Sequence, residues 1–255
     1  MVQDNSIDEF VARIRAVADG NLVSIVLYGS AAEGEFHPEY SDLNLLCVVR
    51  DASFSSLQKI AGVVEWWRGK KHHPPLVLTP QELKATADVF SIEFIDMKQR
   101  YRVLYGEDLL ASLEVPMHLH RSQLEYELRE KLFLLRQHML LAGEDKQRWE
   151  VMLHSLSSFT TLFRHVLVEM DTNRGRGEMG VLARPLERKH SRDAVAELAS
   201  RLNFDASAFV QLMDIRAAKG DRKQLSAPDV AQRYLAGIEK VAAAVDGMQD
   251  SAMRS

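Results

Sequence analysis

Ile7, Phe10, Val11, Ile14 and Val17 recur at helical spacing, so residues 6–19 are expected to form an amphipathic helix stopped at Gly20. Leu22 to Tyr28 reads as a strand. Leu43 to Val49 is an unbroken apolar run containing Cys47 and two valines, the pattern of a strand covered on both faces and central in its sheet. Helical spacing returns over residues 53–68 through Phe54, Leu57, Ile60, Val64 and Trp67, and "HHPPLVLT" then gives a short strand behind two prolines. Thr79, with Pro80 at the first helical position and Glu82 three residues on, forms a capping box that opens a short helix. Phe90, Ile92, Phe94 and Ile95 predict a further buried strand over Val89–Met97.

After about Pro116 the strand signals disappear. Leu124, Leu128, Leu132, Leu135 and Met139 trace one helix, and Met152, Leu156, Phe159, Phe163, Val166 and Met170 a second. Three more are expected around 191–202, around 206–219, and from the Ser226 cap through Val230, Tyr234, Ile238, Val241 and Val245. The expected layout is an α+β arrangement: a mixed sheet with flanking helices over residues 1–115, followed by an all-α helical bundle over 116–255.

Composition narrows the class of partner. Apolar residues make up 46% and charged residues 27% of 255, the balance of a folded globular chain. A net charge of -4 argues against nucleic acid, whose phosphates call for a basic excess. The single cysteine excludes disulfides within the chain and a cysteine metal cluster. With an acidic start and no apolar run near the about 18 residues of a spanning helix, the expectation is a cytoplasmic protein without membrane contact. His72 with His73, and His118 with His120, lack a third ligand at zinc spacing and read as packing or solvated residues.

Candidate chemistry starts where the first strand ends. Gly29 lets the backbone approach an anion closely, and Ser30 adds a hydroxyl donor at what reads as a helix start, where the dipole also favours negative charge. A Gly-Ser turn alone is a weak signal. Its weight comes from spacing, because Ser41 and Asp42 follow and lead into a second strand expected to run beside the first. Gly-Ser after an apolar strand, about a dozen residues, then Ser-Asp-apolar-acid-apolar is the pattern of the nucleotidyltransferase superfamily that includes DNA polymerase β and the bacterial aminoglycoside adenylyltransferases, and this chain resembles it. "LYGSAAEGEFHPEYSDLNLL" carries the resemblance; downstream, "FSIEFIDM" is similar to a strand bearing a third carboxylate and "VLYGEDLL" to the segment that closes the domain.

That resemblance implies nucleotidyl transfer from an NTP to a hydroxyl on a small molecule or protein, in a cleft between the domains, with two Mg²⁺ ions held by hard oxygen ligands. It implies Gly29, Ser30 and Ser41 as the nucleotide-binding residues, Asp42, Asn44 and Glu93 as metal ligands, and Glu93 as the catalytic base as well. On an extended strand an odd spacing turns Glu93 and Asp96 to opposite faces, so only one can face the metals, and Glu93 is preferred because it lies inside the apolar run, where an unpaired carboxylate is costly. Two residues depart from the family pattern. Asn44 stands where a second carboxylate is expected, and Glu33 where many members carry a basic residue beside the triphosphate. An active nucleotidyltransferase and a catalytically inactive binding or regulatory protein of the same fold therefore both stay open. The basic stretch 171–192 reads either as a segment meeting phosphates or as a solvated connection. Arg184 to His190 and Arg148 to His154 both fit the spacing of ribonuclease-like helical domains, and a pattern that occurs twice discriminates little. Acceptor, base preference and oligomeric state leave no mark in the sequence.

Overall fold

The computed structural model describes residues 5–18, 20–33, 43–174 and 190–248. The chain divides into two compact units, Met1–Val115 and Pro116–Ser255. In the first, helix α1 (Asn5–Val17) precedes strand β1 (Leu22–Tyr28), a 3₁₀ turn (Ser30–Glu33) and strand β2 (Asn44–Val49). Helix α2 (Phe54–Gly69), strand β3 (Leu76–Leu78), helices α3 (Pro80–Ala85) and α4 (Ser91–Gln99), and strand β4 (Tyr101–Gly106) complete it. The strands form one mixed sheet in the order β3-β2-β1-β4, with β1 antiparallel to both β2 and β4 and β3 parallel to β2.

The two central strands are the two most apolar runs of the unit. Ile25 and Leu27 of β1 join Leu45, Cys47 and Val49 of β2 in a core with Phe10 and Ile14 of α1 and Trp67 of α2. Leu46 and Val48, which alternate to the other face, are buried too, so this pair has no solvated side. On α1 the apolar stripe runs Ile7, Phe10, Ile14, Ala18; Val17 turns outward, and Gly20 at φ +72° ends the excursion. Thr79 caps α3 as expected: its Oγ1 accepts from the Glu82 N–H at 3.1 Å, and the Glu82 carboxylate accepts from the Thr79 N–H at 2.8 Å.

One element overturns its expectation. Residues 91–99 form a helix, α4, not the strand expected over Val89–Met97. Ser91, Ile92, Phe94, Ile95 and Met97 are all buried, whereas Phe90, expected inside the strand, is half exposed. A short helix buried around most of its circumference produces an apolar run that periodicity cannot separate from a strand. The distinguishing signal is polar: Glu93, Asp96 and Gln99 recur every three residues, which suits a helix face and not an alternating strand. The edge strand was instead Tyr101–Gly106, for which the sequence offered no alternation, since Val103, Leu104 and Tyr105 are consecutive and Arg102 is exposed.

The second unit is helical: α5 (His120–Leu141), α6 (Asp145–Arg174), α7 (Ser191–Leu202), α8 (Ser207–Arg216) and α9 (Ala227–Asp246). Leu124, Leu128, Leu132 and Leu135 of α5 are buried, as are Met152, Leu156, Phe159, Phe163 and Val166 of α6. Tyr234, Ile238, Val241 and Val245 supply the α9 stripe. Phe209 of α8 stacks against both Phe163 and Tyr234, with ring centroids 5.2 and 4.8 Å away. Residues 175–189, most of the basic stretch, lie outside the described residues. Among the described residues no helix is long and apolar enough to cross a membrane.

Two measurements check this packing. Gly106 sits at φ +79°, and a Cβ there would lie 1.9 Å from the Val23 carbonyl oxygen, so Gly106→Ala is expected to cost about 3 kcal/mol or more. Gly62, inside α2 with open space around it, is the control: Gly62→Ala should stabilise by up to about 1 kcal/mol in denaturant titrations. Burial pushes the Cys47 thiol up to about 12. A thiol reagent should therefore find no reactive cysteine in the native protein and should titrate Cys47 only after unfolding.

Candidate functional site

β1 ends at Tyr28, and the chain turns away at Gly29 with φ +81°, a conformation that favours glycine. Its N–H donates to the Arg100 carbonyl at 2.9 Å, extending the β1–β4 pairing by one bond. Its carbonyl accepts from the Ala32 N–H at 3.0 Å and opens the 3₁₀ turn. Two expectations change here. The helix after Gly29 is a single 3₁₀ turn of four residues, too short for a useful dipole. The Gly29 N–H is already engaged, so any anion-binding donors of this turn begin at Ser30.

Asn44 opens β2 directly opposite Tyr28. The two residues of such a cross-strand pair project to the same face of a sheet. A Cβ built on Gly29 would lie 3.4 Å from the Asn44 Nδ2, so the amide packs against the turn. Asn44 thus reaches the turn with its side chain.

Glu93 arrives by a different route from the one expected. It stands in the first turn of α4, half-buried. Burial raises the Tyr28 phenol above its ordinary range, and the negative charge of Glu93 raises it further, which brings the carboxylate to the end of β1 that carries Gly29 and Asn44. The strand argument that set Glu93 against Asp96 fails with the strand: on a helix a spacing of three places both on one side, and both are half-buried. No described strand carries an Asp or Glu, and among the described residues the carboxylate that acts on Tyr28 comes from a helix.

Ser41 and Asp42 lie outside the described residues, as do the side chains of Ser30 and Glu33. Among the described residues no group of three or more His, Cys, Asp or Glu is gathered for a metal. Asn44 and Glu93 nevertheless offer hard oxygen donors, the chemistry that suits Mg²⁺. With an amide at position 44 the set carries one negative charge fewer than an all-carboxylate site. Sequence reading passed over Tyr28, legible only as the last residue of a strand; its place beside the turn follows from the pairing of β1 with β2 and β4, and the Arg100 carbonyl holds the turn through its main chain.

Residues 9–101 match the family described as nucleotidyltransferase domain. No curated protein matches the chain. Among solved structures, the chain is similar to the spectinomycin adenyltransferase AAD(9) from Enterococcus faecialis, solved with ATP and spectinomycin. The TM-score is 0.56 at 16% identity, over 93% of this chain and 98% of that one. At that identity the likeness concerns the fold.

The position of Glu93 is open to a direct check. Removing its charge should make Tyr28 easier to ionise, so Glu93→Gln is expected to lower the Tyr28 pKa while burial still holds it above the ordinary tyrosine range. Alkaline ultraviolet difference titration should show one of the six tyrosines moving; an unchanged curve would place Glu93 away from β1.

Proposed function

Because residues 9–101 match the nucleotidyltransferase domain, we propose that the protein binds an NTP with Mg²⁺ at the Gly29–Ser30 turn and transfers its nucleotidyl group to a hydroxyl. The observation that carries this reading is the meeting of three parts at one end of the sheet: the Gly29 turn, the Asn44 amide packed on it, and the charge of Glu93 acting on Tyr28. Ser30 and Ser41 contact the phosphates, and Asp42, Asn44 and Glu93 supply the oxygen ligands. Bound Mg²⁺ would neutralise the triphosphate and orient it for in-line attack. The acceptor hydroxyl oxygen bonds to the α-phosphorus, the bond from that phosphorus to the bridging oxygen breaks, and pyrophosphate leaves. Glu93 takes the hydroxyl proton. A small hydroxylated molecule is favoured as acceptor by the fold shared with an enzyme solved with ATP and spectinomycin, and by a net charge unsuited to nucleic acid.

A second reading has its own support. Asn44 brings no charge, and no described strand offers an acid in compensation. A unit charge facing another at about 4 Å, at an effective dielectric near 20, is worth roughly 4 kcal/mol before desolvation is subtracted. A site short of that charge holds a divalent ion weakly, which suits a binding or regulatory protein that has lost catalysis.

Calorimetric titration with ATP and Mg²⁺, followed by a transfer assay against a panel of hydroxylated acceptors, separates the two. Binding without turnover in Glu93→Ala and turnover in the unmodified protein are expected for the enzyme. Asn44→Asp should tighten metal binding by roughly 10- to 100-fold. Transfer only in that variant would favour the inactive reading, and no nucleotide binding at millimolar concentration would overturn both.

A further inference from the structure

Helix α5 carries two apolar stripes. Leu124, Leu128, Leu132 and Leu135 form the buried one. The second faces outward: Phe133 is 53% exposed, Leu134 45%, Leu140 86% and Leu141 79%. Apolar residues scattered singly over a surface need no explanation, but four on one ridge beside a groove form a patch of the kind that marks an interaction surface. The groove, about 630 Å³, runs between α5 and α6, with Leu134, Leu135 and Leu141 on one wall and Glu150, His154 and Ser158 on the other. Ridge and groove both belong to the second unit.

The charges around this face are arranged so that it complements itself. α5 and α6 are joined only by residues 142–144, so they form an antiparallel hairpin in which positions equally far from the turn lie level. Glu150 is then level with Arg136, and Lys146 with Leu140. A second α5, laid antiparallel to the first about a two-fold axis at Leu134, brings its Lys131 level with Gln137 and its Glu127 level with Leu141. Each falls within one helical step, ~1.5 Å along the axis, of an exposed charge of opposite sign on α6: Lys131 of Glu150, and Glu127 of Lys146. The flank agrees as well. Lys131 lines the groove and so marks the side of α5 that faces α6. A two-fold axis perpendicular to antiparallel helices keeps like flanks on the same side, which turns Lys131 of the second copy toward α6 of the first. Within one chain Lys131 and Glu127 pair with each other at 2.7 Å, a partly exposed i,i+4 pair weak enough to be exchanged.

We propose that the uncovered face of α5 binds a second copy of this chain, giving a two-fold dimer centred on a four-helix bundle of two α5–α6 hairpins. Leu134 and Leu141 of each copy enter the groove of the other, and Phe133 and Leu140 flank the contact on the side away from α6. The contact is isologous, so each charge pair occurs twice. Nothing in it depends on the nucleotide reading.

Sedimentation velocity of the full chain over a range of concentrations tests this, with a concentration-dependent dimer as the expected result. Leu134→Glu and Leu141→Glu should each weaken dimerisation by roughly 10-fold or more and leave the monomer folded by circular dichroism, since both side chains reach solvent. Lys131→Glu and Glu150→Lys should each weaken it, and the two together should restore it. Leu134→Cys supplies an accessible thiol beside the two-fold axis, because Cys47 is buried. Mild oxidation should cross-link two copies through the introduced thiol, whereas Phe54→Cys, exposed on the first unit, should give no cross-link. A chain that stays monomeric at every concentration, with this face left to a small molecule or a different protein, would overturn the proposal. So would a dimer indifferent to the leucine and charge variants.

Discussion

The hydrogen bond from the Gly29 N–H to the Arg100 carbonyl fixes where the candidate chemistry sits. β1 is the central strand, antiparallel to β2 on one side and β4 on the other, and this bond closes its β4 side at the residue where the chain must turn. Glycine is needed there because φ is +81°, and the missing side chain leaves room for the Asn44 amide. The same bond anchors the segment just after α4, the helix that carries Glu93. A turn, a neighbouring strand and a helix from much later in the chain are thereby held at one end of one sheet.

What the sequence disclosed and what it hid divide along physical lines. β1 and β2 were legible because both faces of each are buried, so every position is apolar and the run is long enough to stand out. The α3 cap and the helices of the second unit were legible for local reasons, a capping box in one case and repeated steps of three and four in the other. α4 was not, because nine residues buried on most sides leave an apolar run with no visible period. β4 hid for the opposite reason, being a partly exposed edge strand whose identity comes from its register with β1. Gly29, Asn44 and Glu93 were singled out through the family resemblance. The helical setting of Glu93, and the presence of Tyr28 beside it, depend on contacts between segments far apart in sequence.

Charge is the quantity on which function turns. An amide at position 44 brings no charge, so any cation site formed there with Glu93 is weaker than one built from two carboxylates.

The most direct measurement is paramagnetic broadening of backbone amide resonances by Mn²⁺ added with ATP, Mn²⁺ standing in for Mg²⁺. Broadening that begins at Tyr28, Gly29, Asn44 and Glu93, and that requires ATP to be present, is the predicted result. Broadening centred elsewhere, with those four amides unaffected, would contradict a nucleotide site at this end of the sheet.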